Sequence, residues 1–416
     1  MNLPLLAAAL FLAPASNAAE PTPRLLSWQE CVSLAGRLNP DLLSSRLSVE
    51  AGSQRYWSSV NGLLPRVSLS NRVSDSNSAT GASRWTADGT ASLDVFNLAT
   101  YSRVSASSAS LRRAEAALRL RSAEIRQALR RAFAQMIFAQ EQVAVADRIR
   151  DLRRRNAELV GLKYASGRES KGNRLRSEAG LTEAEVGRAQ AARALRVARR
   201  ELSRRLGLEA DEVLLATGTL AIAPVPPAPD SAALAAVHPA VQQSAASEAL
   251  ARAARTEARA GFIPSLSVSA SKGLSGRSYF PEKPSWSASG SLSLPLFGGG
   301  PTAAYHVASA AGHDVARAAQ DLRSARESAR TAIETAWAGL ADNADQLKVQ
   351  SAFLEAARQR NEESSVRYSS GLMSFENWEQ VVTDLVNFER SWVRARRDAF
   401  IAETDWDNST GRALGE

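Results

Sequence analysis

The hydrophobic pattern of this chain switches period twice, and the whole order then repeats. From Asp41 to Gly62 charged and apolar residues mix at helical spacing, ending before the step Leu64-Pro65. The period then becomes two. Val67, Leu69 and Val73 alternate with Ser68, Ser70, Arg72 and Ser74; after a polar loop, Trp85, Ala87, Gly89, Ala91, Leu93 and Val95 alternate with Thr86, Asp88, Thr90, Ser92 and Asp94. One face is apolar and the other carries hydroxyls and carboxylates, at about 10 residues per strand, which is the pattern of a membrane β-hairpin. From Tyr101 to Leu162 the helical period returns for 62 residues without proline, enough for about 90 Å of helix. Leu111, Leu118 and Ile125 fall at sevens with alanines between them, as in close-packed coiled coils. A turn at Gly167 and a returning helix, Arg174 to Leu206, complete a long antiparallel hairpin.

The same order comes back about 200 residues later. Asn39-Pro40 recurs as His238-Pro239 and Leu64-Pro65 as Ile263-Pro264, both at an offset of 199; Trp85 recurs as Trp286 at 201, and Tyr164-Ala165-Ser166-Gly167 as Tyr368-Ser369-Ser370-Gly371 at 204. The second copy has a helix over Ala240 to Gly261, then strands in which Leu266, Val268 and Ala270, and later Trp286, Ala288, Gly290, Leu292, Leu294 and Leu296, alternate with serines. A 66-residue helix, Ala303 to Tyr368, and a return from Phe375 to Gly411 follow. Pro224, Pro226, Pro227 and Pro229 mark a non-helical connector between the copies. The chain therefore divides into a signal segment at 1–19, a first repeat at 20–207, a connector at 208–237 and a second repeat at 238–416.

The signal reading rests on the apolar run Leu3 to Ala15 and the small residues Ser16-Asn17-Ala18-Ala19. No later stretch reaches the ~18 to 20 apolar residues of a membrane helix, so membrane contact falls to the strands. Among 416 residues there is one cysteine, Cys31, which excludes a disulfide scaffold or a cysteine zinc cluster. The formal charge of +8 comes from 46 arginines and five lysines against 43 acids. The basic runs Arg153-Arg154-Arg155 and Arg394 to Arg397 sit among Glu and Asp on long helices, as solvated, salt-bridged surfaces do. A nucleic-acid role fits the charge but conflicts with the signal segment. His306 and His313 lie seven apart, a poor metal pair, and no phosphate loop, zinc helix or nucleophile elbow is present. An enzyme, a metal and a cofactor are therefore not expected.

The duplicated order, together with Gly167-Arg168-Glu169-Ser170 and Leu294-Pro295-Leu296-Phe297-Gly298-Gly299-Gly300, resembles the TolC family of outer-membrane efflux proteins. The resemblance covers about Leu26 to Arg412. It implies a mainly helical fold with a membrane β-barrel: a homotrimer whose chains each give four strands to one barrel and their hairpins to a periplasmic tunnel. Its partners would be a periplasmic adaptor, an inner-membrane transporter and outer-membrane lipid, and its place the outer membrane with a periplasmic extension. Elementary physics agrees, because four strands cannot close a barrel and an open edge in lipid leaves backbone groups unpaired, whereas three chains give twelve strands.

Particular residues follow. Trp85 and Trp286, at matching strand ends, are expected in an interfacial aromatic belt. The tip turns, Tyr164, Ser166 and Gly167 with Tyr368, Ser370 and Gly371, are expected at the periplasmic end and to dock the adaptor. The family's acidic gate positions, six and nine residues after the second glycine, correspond here to Asn377 and Gln380, with Glu376 and Glu379 each one residue earlier. Asn173 holds the sixth position of the first hairpin, beside Arg174 and Arg176. A tip of amide and arginine character, with weak cation selectivity, is the expectation. The reading is of a passive export duct; the alternative is a secreted structural coiled-coil protein with soluble hairpins.

Overall fold

The computed structural model describes residues 24–74, 84–208, 214–277, 281–294 and 302–415. The signal segment and residues 295–300 of the glycine-rich motif lie outside them. The first repeat runs through strand β1 (Arg24–Leu26), helices α1 (Trp28–Leu38) and α2 (Pro40–Asn61), strands β2 (Arg66–Ser74) and β3 (Arg84–Phe96), and helices α3 (Leu98–Ala165) and α4 (Lys171–Leu206). The second runs through β4 (Leu214–Ala216), α5 (Ser231–Val237), α6 (Pro239–Arg259), β5 (Ser265–Gly276), β6 (Lys283–Ser293), α7 (Ala303–Ser369) and α8 (Phe375–Ser409). The two long helices have 68 and 67 residues, about 100 Å each.

Local chemistry sets the boundaries. Asn39 and His238 both cap a helix that a proline begins, which explains why Asn-Pro and His-Pro occupy equivalent places. Asn39 Oδ1 accepts from the Leu42 N–H at 3.1 Å, and His238 Nδ1 accepts from the Ala240 N–H at 3.2 Å. An accepting Nδ1 requires a neutral ring. Burial lowers the His238 pKa and so favours that form, against the opposing effect of its hydrogen bond with the Asn408 backbone.

The four long strands form one antiparallel sheet in the order β2-β3-β5-β6, so the two hairpins are joined through β3 and β5. The register preserves the predicted faces. Val67 faces Ala91, Ala91 faces Ala270 and Ala270 faces Ala288 on the apolar side, while Ser68, Thr90, Ser271 and Ser287 align on the polar side. Along β5 the even-numbered apolar residues are exposed and the intervening serines are half-buried. Leu69 is 89% and Leu292 73% exposed, so the apolar face has no cover within the chain. β2 and β6 are open edges, and one chain has no closed barrel. A bulge at Val95 ends the regular pairing of β3 with β5.

The helices form two hairpins, α3 with α4 and α7 with α8, laid side by side and braced by α2 and α6. Their largest buried cluster lies midway, where Leu129, Phe133 and Met136 of α3 meet Leu202 and Leu206 of α4, Cys31 of α1 and Phe400 of α8. In the distal part of α3 the seam is made by Ala109, Ala116 and Ala123, with Leu111 and Leu118 only half-buried. The alanines take the closest approach because a larger side chain there would hold the neighbouring helix off. The connector expected to be non-helical contains more structure than its prolines indicate. Leu214–Ala216 pairs in parallel with Arg24–Leu26, and Asp230 caps the seven-residue α5 by accepting from the Ala232 and Ala233 N–H groups.

Candidate functional site: hairpin tips and the four-stranded sheet

Each hairpin turns on a glycine in the left-handed region, Gly167 at φ 74° and Gly371 at φ 83°. Around them the Gly167 and Arg168 N–H groups donate to the Tyr164 and Lys163 carbonyls, and the Gly371 and Leu372 N–H groups to those of Tyr368 and Arg367. This is the double-bonded helix end that glycine permits without a Cβ clash. Ser170 and Ser374 then start the return helices, their hydroxyls accepting from the Asn173 and Asn377 N–H groups at 3.1 and 3.4 Å. Asn173 and Asn377 are therefore structurally equivalent.

The two tips are tied to each other. Tyr368 is 2% exposed, and its ring stacks on Trp378 with centroids 4.2 Å apart. Its hydroxyl donates to Glu169 Oε2 at 2.8 Å, and Asn173 Nδ2 donates to Glu169 Oε1 at 2.8 Å. The Lys163 ammonium lies 4.0 Å from the Tyr368 ring centroid and donates to the Tyr368 carbonyl. Burial raises the Glu169 pKa, but the bonds from Asn173, the Ser170 N–H and Tyr368, with the Lys163 charge, outweigh it and hold the carboxyl below its ordinary value. Tyr368 is shifted upward, first by burial and then by Glu169. Val160, Phe375 and Val382 close the cluster.

Among the gate candidates, Glu379 turns inward: it is 9% exposed and meets Arg153 Nη1 at 2.5 Å, while Arg153 Nη2 reaches the Thr383 hydroxyl at 3.3 Å. Glu376, Asn377 and Gln380 are exposed, and Gln380 donates to Asp384 at 2.8 Å. Arg174 lies over the half-buried Tyr164 ring at 4.8 Å and 3.5 Å from Glu178; Arg176 is exposed. Of the docking candidates, Ser166, Gly167, Ser370 and Gly371 are exposed, whereas Tyr368 serves as the joint between hairpins and offers no surface. Lys163 and Trp378 were not singled out by sequence, Glu169 entered only within the motif Gly167 to Ser170, and Arg153, expected on a solvated surface, is instead largely buried against Glu379; the ten-residue spacing of Tyr368 and Trp378 across the turn was the available signal.

On the sheet, Trp85 is the second residue of β3, facing Val73 and Gly276, and Trp286 is the fourth of β6, facing Lys272. Both lie on the apolar face, but their partners on β5 are four residues apart. Lys272 is the sole charged residue of the described strands on that face. At the opposite end, Trp57, Tyr101, Phe262 and Tyr305 are exposed where the helices meet the strands, a second aromatic set that the alternation alone did not reveal. No described helix is long and apolar enough to cross a membrane, which leaves the apolar sheet face as the candidate membrane surface.

Residues 231–412 match the family model described as outer membrane efflux protein. No curated protein sequence matches the chain. The fold is that of solved outer-membrane channels. The CmeC channel of Campylobacter jejuni aligns over 100% of this chain and 95% of its own, with 15% identity and a TM-score of 0.83. The open-state MtrE channel of Neisseria gonorrhoeae aligns over 93% and 89%, with 20% identity and a TM-score of 0.83. The outer membrane protein VceC of Vibrio cholerae aligns over 93% and 96%, with 16% identity and a TM-score of 0.81. Residues 231–412 are thus similar to outer membrane efflux proteins, and the chain as a whole has the fold of these solved outer-membrane channels.

Proposed function

We propose that this protein is the passive outer-membrane duct of an export system, with an inner-membrane transporter supplying energy through a periplasmic adaptor. The observation that carries the reading is the uncovered apolar face, continuous over four strands with two open edges. Water penalises that face, and lipid penalises those edges unless further strands pair with them. Three copies joined edge to edge give a closed twelve-stranded barrel with the Ser, Thr and Asp face inward. The hairpins then extend about 100 Å into the periplasm, and Trp85 and Trp286 sit among lipid headgroups. Outer-membrane fractionation, trimer mass in detergent and conductance in planar bilayers test this together. The expected result is a detergent-extracted trimer that forms ion-conducting pores; a monodisperse, non-conducting monomer released by osmotic shock would overturn it.

The tips serve two roles in this reading. Ser166, Gly167, Ser370 and Gly371, with Tyr164 at their flank, receive the adaptor. Trp substitutions at Ser166 and Ser370 are expected to weaken adaptor crosslinking by about tenfold while the trimer persists; unchanged crosslinking would remove the tips from the docking surface. Asn377 and Gln380, with Glu376, Asn173, Arg174 and Arg176 around them, form the inner constriction, and Glu379 supports it through Arg153. Asn377→Asp with Gln380→Asp is expected to move the bilayer reversal potential toward cation selectivity, and an unmoved potential would place these side chains off the pore.

A further inference from the structure

The polar face of the sheet is not uniform along its length. Toward the helices it is a wall of hydroxyls whose one cation, Arg66, is neutralised by Asp94 at 2.8 Å. The outer end differs. By register Arg72 faces Thr86, Thr86 faces Ser275 and Ser275 faces Lys283, so Arg72 and Lys283 close the two ends of a single row across all four strands. Arg84, opposite Ser74, lies one row further out on the same face. All three cations are exposed, and no carboxylate among the described residues pairs with them. The acid nearest in register, Asp88, is one row inward and accepts from the Ser70 and Thr90 hydroxyls at 3.0 and 3.3 Å. The outer connections add Arg277 and Glu282, and the sequence between β2 and β3 adds Asp75, outside the described residues.

We propose that these residues make the outer mouth of the pore an anion-preferring exit, which assigns anionic solutes, carboxylates and phosphates, as the cargo class that leaves most readily. The proposal rests on the reading that the polar face lines a trimeric pore. Twelve strands about 4.8 Å apart, tilted by about 40°, enclose a backbone radius of about 12 Å. Long cationic side chains reach inward from that wall, and the Debye length at physiological salt is about 8 Å. The whole cross-section of the mouth therefore lies within the field of the ring. Each chain contributes three cations, and among the described residues the wall beneath carries only the single uncancelled charge of Asp88, since Arg66 and Asp94 neutralise each other, so the ring, the larger charge, sets the sign of the potential at the exit.

Arg72 and Lys283 occupy the two edge strands, and closure of the barrel brings the edges of neighbouring chains together. Like charges gathered at a seam repel one another, and an anion bound there relieves the repulsion. The test is block of single-channel current in low salt by inositol hexakisphosphate, a compact polyanion, added to the side of the outer mouth. Wild-type channels are expected to be blocked from that side, with block relieved by high salt. Block should be about tenfold weaker in the combined variant Arg72→Gln, Arg84→Gln, Lys283→Gln. Asp88→Asn, which removes the acid nearest the ring in register, is the control of opposite sign, expected to deepen block. Conducting trimers whose block is equal from both sides, or unchanged in the combined variant, would overturn the anion preference alone. Trimers that do not conduct at all would overturn the pore reading and this inference with it.

Discussion

Asp407→Ala is expected to destabilise the protein by about 3 to 5 kcal/mol, the cost of removing one partner from a buried ionic cluster. Asp407, near the end of α8, receives Arg126 Nη1 at 3.2 Å, Arg130 Nη1 at 2.5 Å and Arg412 Nη1 at 3.1 Å. The side chains of Arg126 and Asp407 are 7% and 11% exposed, so water cannot replace the lost contacts. Arg130 also meets Glu403 at 2.6 Å and lies over the Phe400 ring at 4.8 Å, which fixes its guanidinium in place. The cluster is the bracket between α3 and α8 beside the largest core. Alanine leaves Glu403 as the remaining carboxylate on Arg130 and takes this carboxylate from Arg126. The loss is read as a fall in the thermal midpoint of the helical circular dichroism signal. Asp407→Asn keeps the shape and should recover part of it; a change below about 1 kcal/mol for alanine would mean that the arginines are solvated there.

Tyr368→Ala is expected to release the two tips from each other at a local cost of about 3 to 5 kcal/mol, that of truncating a buried aromatic. It removes the stack on Trp378 and the bond to Glu169 together. Tyr368→Phe keeps the stack and removes only a donor to a carboxylate, worth about 1.5 to 3 kcal/mol. Hydrogen exchange at the Lys163 to Ser170 amides should quicken in the order wild type, Phe, Ala, with the sheet unaffected. The Glu169 pKa is depressed in the folded chain, so its stabilisation is present above the ordinary carboxylate pKa of 4.5 and is lost as pH falls through the folded-state value. Tip protection factors, corrected for the intrinsic pH dependence of amide exchange, should therefore fall further at acid pH in wild type, and this acid-dependent part should vanish in Glu169→Gln. Equal exchange in all variants would show that the tips are held by other contacts.

The predictions about Tyr368 and Glu379 mark where sequence reading stops. Gly167 and Gly371 announce turns because a left-handed residue at a helix end is a local requirement that glycine meets. That Tyr368 faces the other hairpin, and Glu379 an arginine 226 residues away, depends on how each helix is rotated about its own axis. An ideal helix drifts by ~20° per heptad against a seven-residue repeat. Over the 68 residues of α3 this amounts to about half a turn. The leucines Leu111 and Leu118 accordingly gave the period of the seam but not its position, which fell to Ala109, Ala116 and Ala123.

By itself the sequence determined what is decided within a few residues: the switch of period between helix and strand, the polar and apolar faces of all four strands, the Asn-Pro and His-Pro helix starts, the glycine turns and the duplication. Only the tertiary structure decided that β3 pairs with β5 and so joins the two copies, that Leu214–Ala216 pairs with β1, and that Glu169, Tyr368 and Lys163 form one joint. Alternation and capping are properties of neighbouring side chains, fixed by 100° and 180° rotations along the backbone. Pairings between residues 100 to 200 positions apart depend on which faces meet once two 100 Å helices have been laid together, and no local pattern encodes that.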